Sequence, residues 1–372
     1  MKFVDCHDPV LVESMRRLWK ETFHDSDEYV NLIYDKCFYP HYCECCVDDT
    51  CLISSLTGVP YSFHSNDNSR DEIHGLYLCG LATVEQHRGE GIMSEMVLRA
   101  EKRAKENGFA FTFLIPADNG LRRYYERLGY YTSCRDIMID AVVRINPCKR
   151  DIIDDSNTSE STTNITNDVN INSIKSTIIN DYNLLKHNID LLKSIIQKCQ
   201  SFETIPDVFC IAHSKRQWRL ILQEKFMSGC TLLVGMTRDG LAESAIVLQP
   251  CDEADGRTPV AIPLFGEFGN LGELLIDYLS RTDYQKKIRY DDTEGGFRIR
   301  IRIPEYSVMT DCENSIFEKN KLPDTNIEIS EKLNFGEFVS ISKVETLDYG
   351  MVKWVGGSDK RDEPVVFRLM LD

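Results

Sequence analysis

Two clusters in this sequence bring together groups that chemistry can use. The first is Gln86-His87-Arg88-Gly89-Glu90-Gly91-Ile92-Met93. Gly89 and Gly91 remove side chains where an apolar run gives way to a helical pattern, so the backbone amides from Arg88 to Met93 can face outward at a helix N-terminus. Unpaired amides and the positive end of the helix dipole suit a pyrophosphate. A tight strand–helix turn with no ligand also needs glycine, and two glycines alone do not separate these readings. The second cluster is His41-Tyr42-Cys43-Glu44-Cys45-Cys46 with Cys51, the densest set of metal-ligand types. Zinc sites pair two short Cys/His spacings, no second pair stands nearby, and adjacent strand residues such as Cys45 and Cys46 face opposite ways, so no metal is expected.

The elements that must position these groups are legible as patterns. Leu76 to Val84 is an apolar strand entering the glycine turn, and the helix after it puts Ile92, Met93, Met96, Val97, Ala100 and Ala104 on one face before Gly108 closes it. Phe109 to Ile115 is a second strand, ending at Pro116. Asp118 or Asn119 caps a short helix, Gly120 to Leu128, that stops at Gly129. On that helix Leu121, Tyr125 and Leu128 share a face, so by periodicity Tyr125 is a core aromatic. Upstream, Asp8-Pro9 starts a helix striped by Val10, Met15, Leu18, Trp19 and Phe23, and a second helix starts near Ser26 with Tyr29, Leu32 and Ile33. Cys51 to Phe63 is expected to be a hairpin broken at Gly58-Val59-Pro60.

Length and charge set the frame. At roughly 100–200 residues per domain, 372 residues predict two or three domains. The net charge of −16 argues against nucleic acid and an anionic membrane surface as partners. No run approaches the roughly 20 apolar residues of a membrane span, and the N-terminus turns acidic at once instead of forming a secretory signal. The fourteen cysteines are scattered as small core residues, and a reduced, cytoplasmic chain is expected. Residues 146–181 lack aromatics and glycine and are rich in Asn, Ser and Thr, the composition of a flexible linker or surface insertion. Beyond it, Tyr182 to Gln200 is an amphipathic helix, Leu232 to Met236 and Ser244 to Leu248 are strands, Phe297 to Ile303 alternates as a half-buried strand, and Phe367 to Leu371 is a strand. The divisions are 1–145, 146–181, 182–294 and 295–372.

Gln86-x-x-Gly89-x-Gly91 after one strand, then Asn119 and Tyr125-Glu126-Arg127-Leu128-Gly129-Tyr130 after the next, resembles the GNAT superfamily of acetyl-coenzyme A-dependent N-acetyltransferases. The layout of the whole chain is similar to the Eis-like (enhanced intracellular survival) enzymes. That resemblance implies an α/β fold with mixed sheets. It would comprise a catalytic GNAT domain over 1–145, a degenerate second GNAT-like domain over 182–294 and a sterol-carrier-like α+β domain over 295–372. No second glycine motif of this type occurs in 182–294, so that copy is not expected to bind coenzyme A.

The resemblance also assigns roles. The strand backbone at Leu81, Ala82 and Thr83 would bind the pantetheine arm, an amide near Leu81 would polarise the thioester carbonyl, and Arg88, Gly89, Glu90, Gly91, Ile92 and Met93 would hold the pyrophosphate. Asn119 would lie on the pantetheine side. Tyr125 matches the general acid, with Tyr124 its neighbour and rival; a tyrosine of reference pKa about 10 is neutral at pH 7 and can donate to the leaving thiolate. The C-terminal carboxylate, here Asp372, would serve as base. The first two helices would build an acceptor pocket, where Asp25, Asp27, Glu28 and Asp35 would welcome an amine or form a solvated face. The function implied is transfer of acetyl from acetyl-CoA, without a metal, to a small amine such as a polyamine or aminoglycoside, by a homo-oligomer. A protein or peptide lysine acetyltransferase and a non-catalytic acyl-CoA or lipid-binding protein are the alternatives.

Overall fold

The computed structural model describes residues 1–65, 72–145, 175–203, 209–250, 258–281, 288, 290–291, 295–304, 333–336, 338–356 and 365–367. In chain order the elements are β1 (Lys2–Val4), α1 (Pro9–Phe23), α2 (Asp27–Lys36), β2 (Glu44–Asp48), β3 (Cys51–Ser65), β4 (Glu72–Thr83), α3 (Ile92–Glu106), β5 (Phe111–Leu114), α4 (Asn119–Arg127) and β6 (Tyr131–Val143). There follow β7 (Lys175–Ile179), α5 (Tyr182–His187), α6 (Ile189–Ser201), β8 (Phe209–Ile211), α7 (Lys215–Met227), β9 (Thr231–Met236), β10 (Ala242–Gln249), β11 (Val260–Phe265) and α8 (Phe268–Ser280). The last described strands are β12 (Tyr290–Asp291), β13 (Gly296–Pro304), β14 (Val339–Trp354) and β15 (Val365–Val366). The chain forms two compact units, one of Met1–Arg135, Glu203–Met227 and Asp348–Asp372, the other of Asp136–Phe202 and Ser228–Leu347.

The first unit is an α/β layer built on a mixed sheet. Its strands run β1-β2-β3-β4-β5-β14, with β8 on the Phe63–Ser65 end of β3 and β15 on β8. The β4–β5 and β8–β15 pairs are parallel and the others antiparallel. α1 starts where expected: the Asp8 carboxylate accepts from Val10 N at 2.9 Å and Pro9 occupies the first turn, where its missing N–H costs nothing. Met15, Leu18 and Trp19 are buried, whereas Val10 and Phe23, at the two ends of the predicted stripe, are exposed. Ser26 caps α2 through Tyr29 N. One apolar layer, with Leu76, Leu78, Met96, Val97, Ala100, Ala104 and Tyr125, joins α3 and α4 to the sheet. All four residues of β5 are buried, as expected of a strand covered on both faces.

β3 corrects one expectation. Cys51–Ser65 is a single 15-residue strand, not a hairpin, with Gly58, Val59 and Pro60 in register opposite Leu78, Tyr77 and Leu76. Gly58 is there for room, since a Cβ would stand 2.3 Å from the Tyr42 carbonyl oxygen.

The second unit is also α/β with a mixed sheet, in the order β6-β13-β11-β10-β9-β7, its β11–β13 pair parallel. Phe297, Ile299, Ile301 and Ile303 are buried with Leu271, Leu274, Leu275 and Leu279 of α8. The intervening arginines pair outward: Arg298 with Asp291 at 2.5 Å, Arg300 with Asp140 at 3.5 Å and Arg302 with Asp136 at 2.6 Å. The helix expected over Tyr182 to Gln200 is two, because Asn188 ends α5 and its side chain caps α6 through Leu191 N. Lys175–Ile179, placed by composition in the linker, is strand β7 on the edge beside β9; residues 146–174 lie outside the described residues.

Candidate active site

The site is built where β4 departs from regular pairing. Thr57 faces Cys79 and Ser55 faces Ala82, so one residue of β3, Leu56, stands opposite both Gly80 and Leu81. That is a β-bulge, and Gly80 adopts its left-handed corner with φ +58°. β5 pairs with β4 only over Gly75–Tyr77, so among the described residues Leu81–Thr83 run past the end of their parallel neighbour. Their carbonyls are partly committed: Ala82 O accepts from Ser54 Oγ at 2.9 Å, and Thr83 O accepts from Arg88 Nε at 3.1 Å.

The glycine turn follows. Glu85–His87 makes one 3-10 turn, then Gly89 and Gly91 take φ +87° and +79°, a region costly for residues with a Cβ. A Cβ at either would meet nothing within 4 Å, so these glycines serve the backbone conformation and leave open space above it. Gly91 is the N-cap of α3 and offers no side-chain acceptor, and the first intrahelical bond is Glu95 N to Gly91 O at 3.2 Å. The amides of Ile92, Met93 and Ser94 are therefore left over, a ready anion site at the positive helix end. His87 Nδ1 lies 3.1 Å from Glu90 Oε2, which ties that carboxylate back onto the turn.

α4 stands beside this turn. Asp118, rather than Asn119, is its cap, accepting from Leu121 N at 2.8 Å, so the exposed Asn119 at the first helical position is not used for capping. Tyr124 Oη bonds Ser94 Oγ at 2.9 Å, joining α4 to the first turn of α3. Tyr125 is 6 % exposed, with its ring 5.1 Å from Tyr124 and 5.9 Å from Tyr130. Burial pushes its hydroxyl pKa up, and the neighbouring Tyr124 adds to the rise, so Tyr125 carries its proton throughout the neutral range. The sequence-predicted groups from Leu81 to Met93 thus adjoin one another on β4 and the turn, and the Ser94–Tyr124 bond connects them to the tyrosine helix.

Asp372 lies outside the described residues. The chain is described to Phe367, whose ring is 4.7 Å from Phe113 of β5, while Val365 O accepts from Ser133 Oγ at 2.5 Å. Of the carboxylates on the first two helices, Asp27 is paired with Lys20 at 2.5 Å and Asp35 with Arg16 at 2.7 Å, and Asp25 accepts from Trp19 Nε1 at 2.8 Å. Cys43, Cys45 and Cys46 are buried, burial raises the thiols of Cys43 and Cys46, and among the described residues no group of three or more ligand types is disposed to hold a metal. Sequence reasoning passed over Gly80, although a glycine inside an apolar strand is the signature of a bulge or close approach. It also passed over Ser94, Glu101 and Lys353, which carry no motif.

Residues 11–133 match the family model described as an acetyltransferase (GNAT) domain. No curated protein sequence matches the chain. Among solved structures, the chain is similar to a conserved protein from Enterococcus faecalis V583, described as a probable N-acyltransferase, with TM-score 0.57 and 12% identity over 95% of this chain and 72% of that one. It is also similar to a GCN5-related N-acetyltransferase from Anabaena variabilis, with TM-score 0.55 and 10% identity over 95% and 73%. Eis1 from Mycobacterium abscessus gives TM-score 0.53 and 11% identity over 95% and 73%. At such identities these likenesses speak for the fold, and the family match speaks for the domain. No helix among the described residues is long and apolar enough to cross a membrane. With its bulged strand, open glycine turn and tyrosine helix in place, the chain carries over residues 11–133 an acetyltransferase domain of the GNAT type.

Proposed function

We propose that the protein transfers acetyl from acetyl-CoA to a primary amine of a small acceptor, polyamine- or aminoglycoside-like, by direct attack of the amine on the thioester. The observation that carries this reading is the uncapped N-terminus of α3 behind two left-handed glycines, adjoining a bulge at Gly80. The amides from Arg88 to Met93 would hold the pyrophosphate, and the exposed Arg88 would add charge-assisted bonds from its remaining guanidinium nitrogens. Leu81, Ala82 and Thr83 would lie along the pantetheine arm with Asn119 on its other side. An amide near Leu81, swung out by the bulge, would stabilise the oxyanion as the carbon–nitrogen bond forms. When the carbon–sulfur bond breaks, Tyr125 would give its proton to the coenzyme thiolate, and a carboxylate of Asp372 would take the proton that the amine must lose.

Thiol release from acetyl-CoA, followed over a panel of polyamines, aminoglycosides and lysine peptides, tests the reading. Turnover with a small amine supports it. Turnover with peptides alone would make the protein a lysine acetyltransferase, and coenzyme binding without turnover would make it an acyl-CoA sensor.

A further inference from the structure

The tyrosine helix is held from an unexpected direction. Lys353, on the β14 segment that pairs with β5, donates from Nζ to the Leu128 carbonyl at 2.7 Å and to Glu101 Oε2 at 2.7 Å. Leu128 is the C-cap of α4, where a cation meets the negative end of the helix dipole and satisfies a carbonyl the helix leaves over. The Lys353 stem passes Gly129, whose φ is +92° and whose missing Cβ would stand 3.4 Å from Lys353 Cε. Glu101, on α3, is 8 % exposed; Lys353 Nζ also stands 5.8 Å from the centroid of the Tyr130 ring, whose hydroxyl lies 2.8 Å from Thr112 Oγ1. Tyr130 is tied to Tyr125 twice, by its N–H to the Tyr125 carbonyl at 3.1 Å and by the ring contact.

Resting on the acetyltransferase reading above, we propose that Lys353 is a positioning residue for that reaction. It fixes the end of α4 through the Leu128 carbonyl and stands over the Tyr130 ring, held there by Glu101, so that Tyr125 keeps one orientation toward the leaving group. A structural role alone would predict something different. A buried ion pair replaced as a unit by apolar side chains of similar size commonly leaves stability unchanged or improved. Two apolar residues cannot bond the Leu128 carbonyl or set a cation over the Tyr130 ring, however, so stability and positioning separate in the right variant.

The test compares the full chain with Lys353→Met/Glu101→Met and with Lys353→Arg. The double variant is expected to melt near wild type, yet to lose about tenfold or more in kcat at an acetyl-CoA KM within about twofold, since small misplacements of reacting groups cost rate more than affinity. Its Gly129 and Tyr130 amides, bonded to Glu126 O and Tyr125 O, should exchange with solvent faster. Lys353→Arg keeps a charged donor and should restore most of kcat and the slow exchange; if the double variant does not fold, Lys353→Leu/Glu101→Leu, which also removes both charges and the donor, replaces it with the same expectation. Wild-type kcat in the neutralised variant, or unaltered exchange at residues 129–130, overturns the proposal. Absence of thiol release from the wild-type protein would instead remove the acetyltransferase reading, and the exchange measurement, which needs no turnover, would still decide whether Lys353 holds α4.

Discussion

The indole of Trp19 packs so close to Gly80 that a Cβ at position 80 would stand 2.1 Å from Trp19 Cζ3. Trp19 is itself fixed by Asp25 through its ring N–H and by edge contacts with Phe23 and Tyr34. The bulge that would present the Leu81 amide is therefore backed by one aromatic side chain from α1. Gly80→Ala should cost about 2–4 kcal/mol, from the left-handed φ and the overlap together. Adding Trp19→Ala should recover the overlap component while leaving the backbone component, a coupling that urea melts of the four species of the cycle will read. Additive losses would show that the ring does not back the bulge.

Tyr125→Phe removes the proposed acid and keeps the ring in its apolar layer. We expect kcat to fall by about 10²-fold at an unchanged acetyl-CoA KM, the scale of a lost general acid. Tyr124→Phe breaks only the bond to Ser94 and should act mainly on coenzyme binding. If steady-state kinetics show the two effects exchanged, the proton comes from Tyr124.

Gly91→Ala separates the turn from its surroundings. The added methyl meets no atom, so any change comes from the φ of +79° and amounts to about 1–2 kcal/mol. Titration calorimetry should show acetyl-CoA affinity falling about tenfold or more as the α3 amides rotate, at a melting temperature close to wild type. Undiminished affinity would mean the turn carries no phosphate.

Alkaline stability follows from three buried phenols. Burial raises the hydroxyls of Tyr34, Tyr125 and Tyr130 above their unfolded value of about 10. Groups raised in the folded state give their full stabilisation below the unfolded pKa and lose it as pH rises toward the folded one. Unfolding free energy should thus be flat in these groups up to about pH 9 and fall above about pH 10, by about 1.4 kcal/mol per pH unit for each. Tyr125→Phe should flatten that limb by one proton, measurable in urea melts from pH 8 to 11.

Deleting Asp372 tests the proposed base. Loss of kcat concentrated at the acidic end of the pH–rate profile, where the amine is most fully protonated, is the expected result. A profile that keeps its shape and height would take the base elsewhere.

Local signals carried most of what could be anticipated. Asp8-Pro9, Ser26 and the turn glycines act through bonds to near neighbours, so α1, α2, α3 and the turn stand where their residues imply. β3 misled because its Gly58 answers to Tyr42 rather than to its own chain direction, and a close approach from outside leaves no local mark. Asn188 divided a periodic helix because a side chain that caps the next helix also stops the last. The texture of residues 295–372 said strand, and strands are there, but their partners are set by distant pairing: β13 lies beside β6 and β11, while the end of β14 lies beside β5. Lys353 was invisible for the same reason.

Met351 to Trp354 and Val365 to Phe367 belong to a unit that otherwise begins at residue 1, and they supply the outer partner of β5 and the ring against Phe113. During synthesis β5 emerges long before these residues exist. Its apolar edge must wait, unpaired, while more than two hundred further residues are added, so the first unit closes only after the residues of the second unit have been made. A nascent or truncated chain is then the form most exposed to aggregation and most in need of a chaperone. A shorter expression product covering the matched domain alone would carry that open edge permanently.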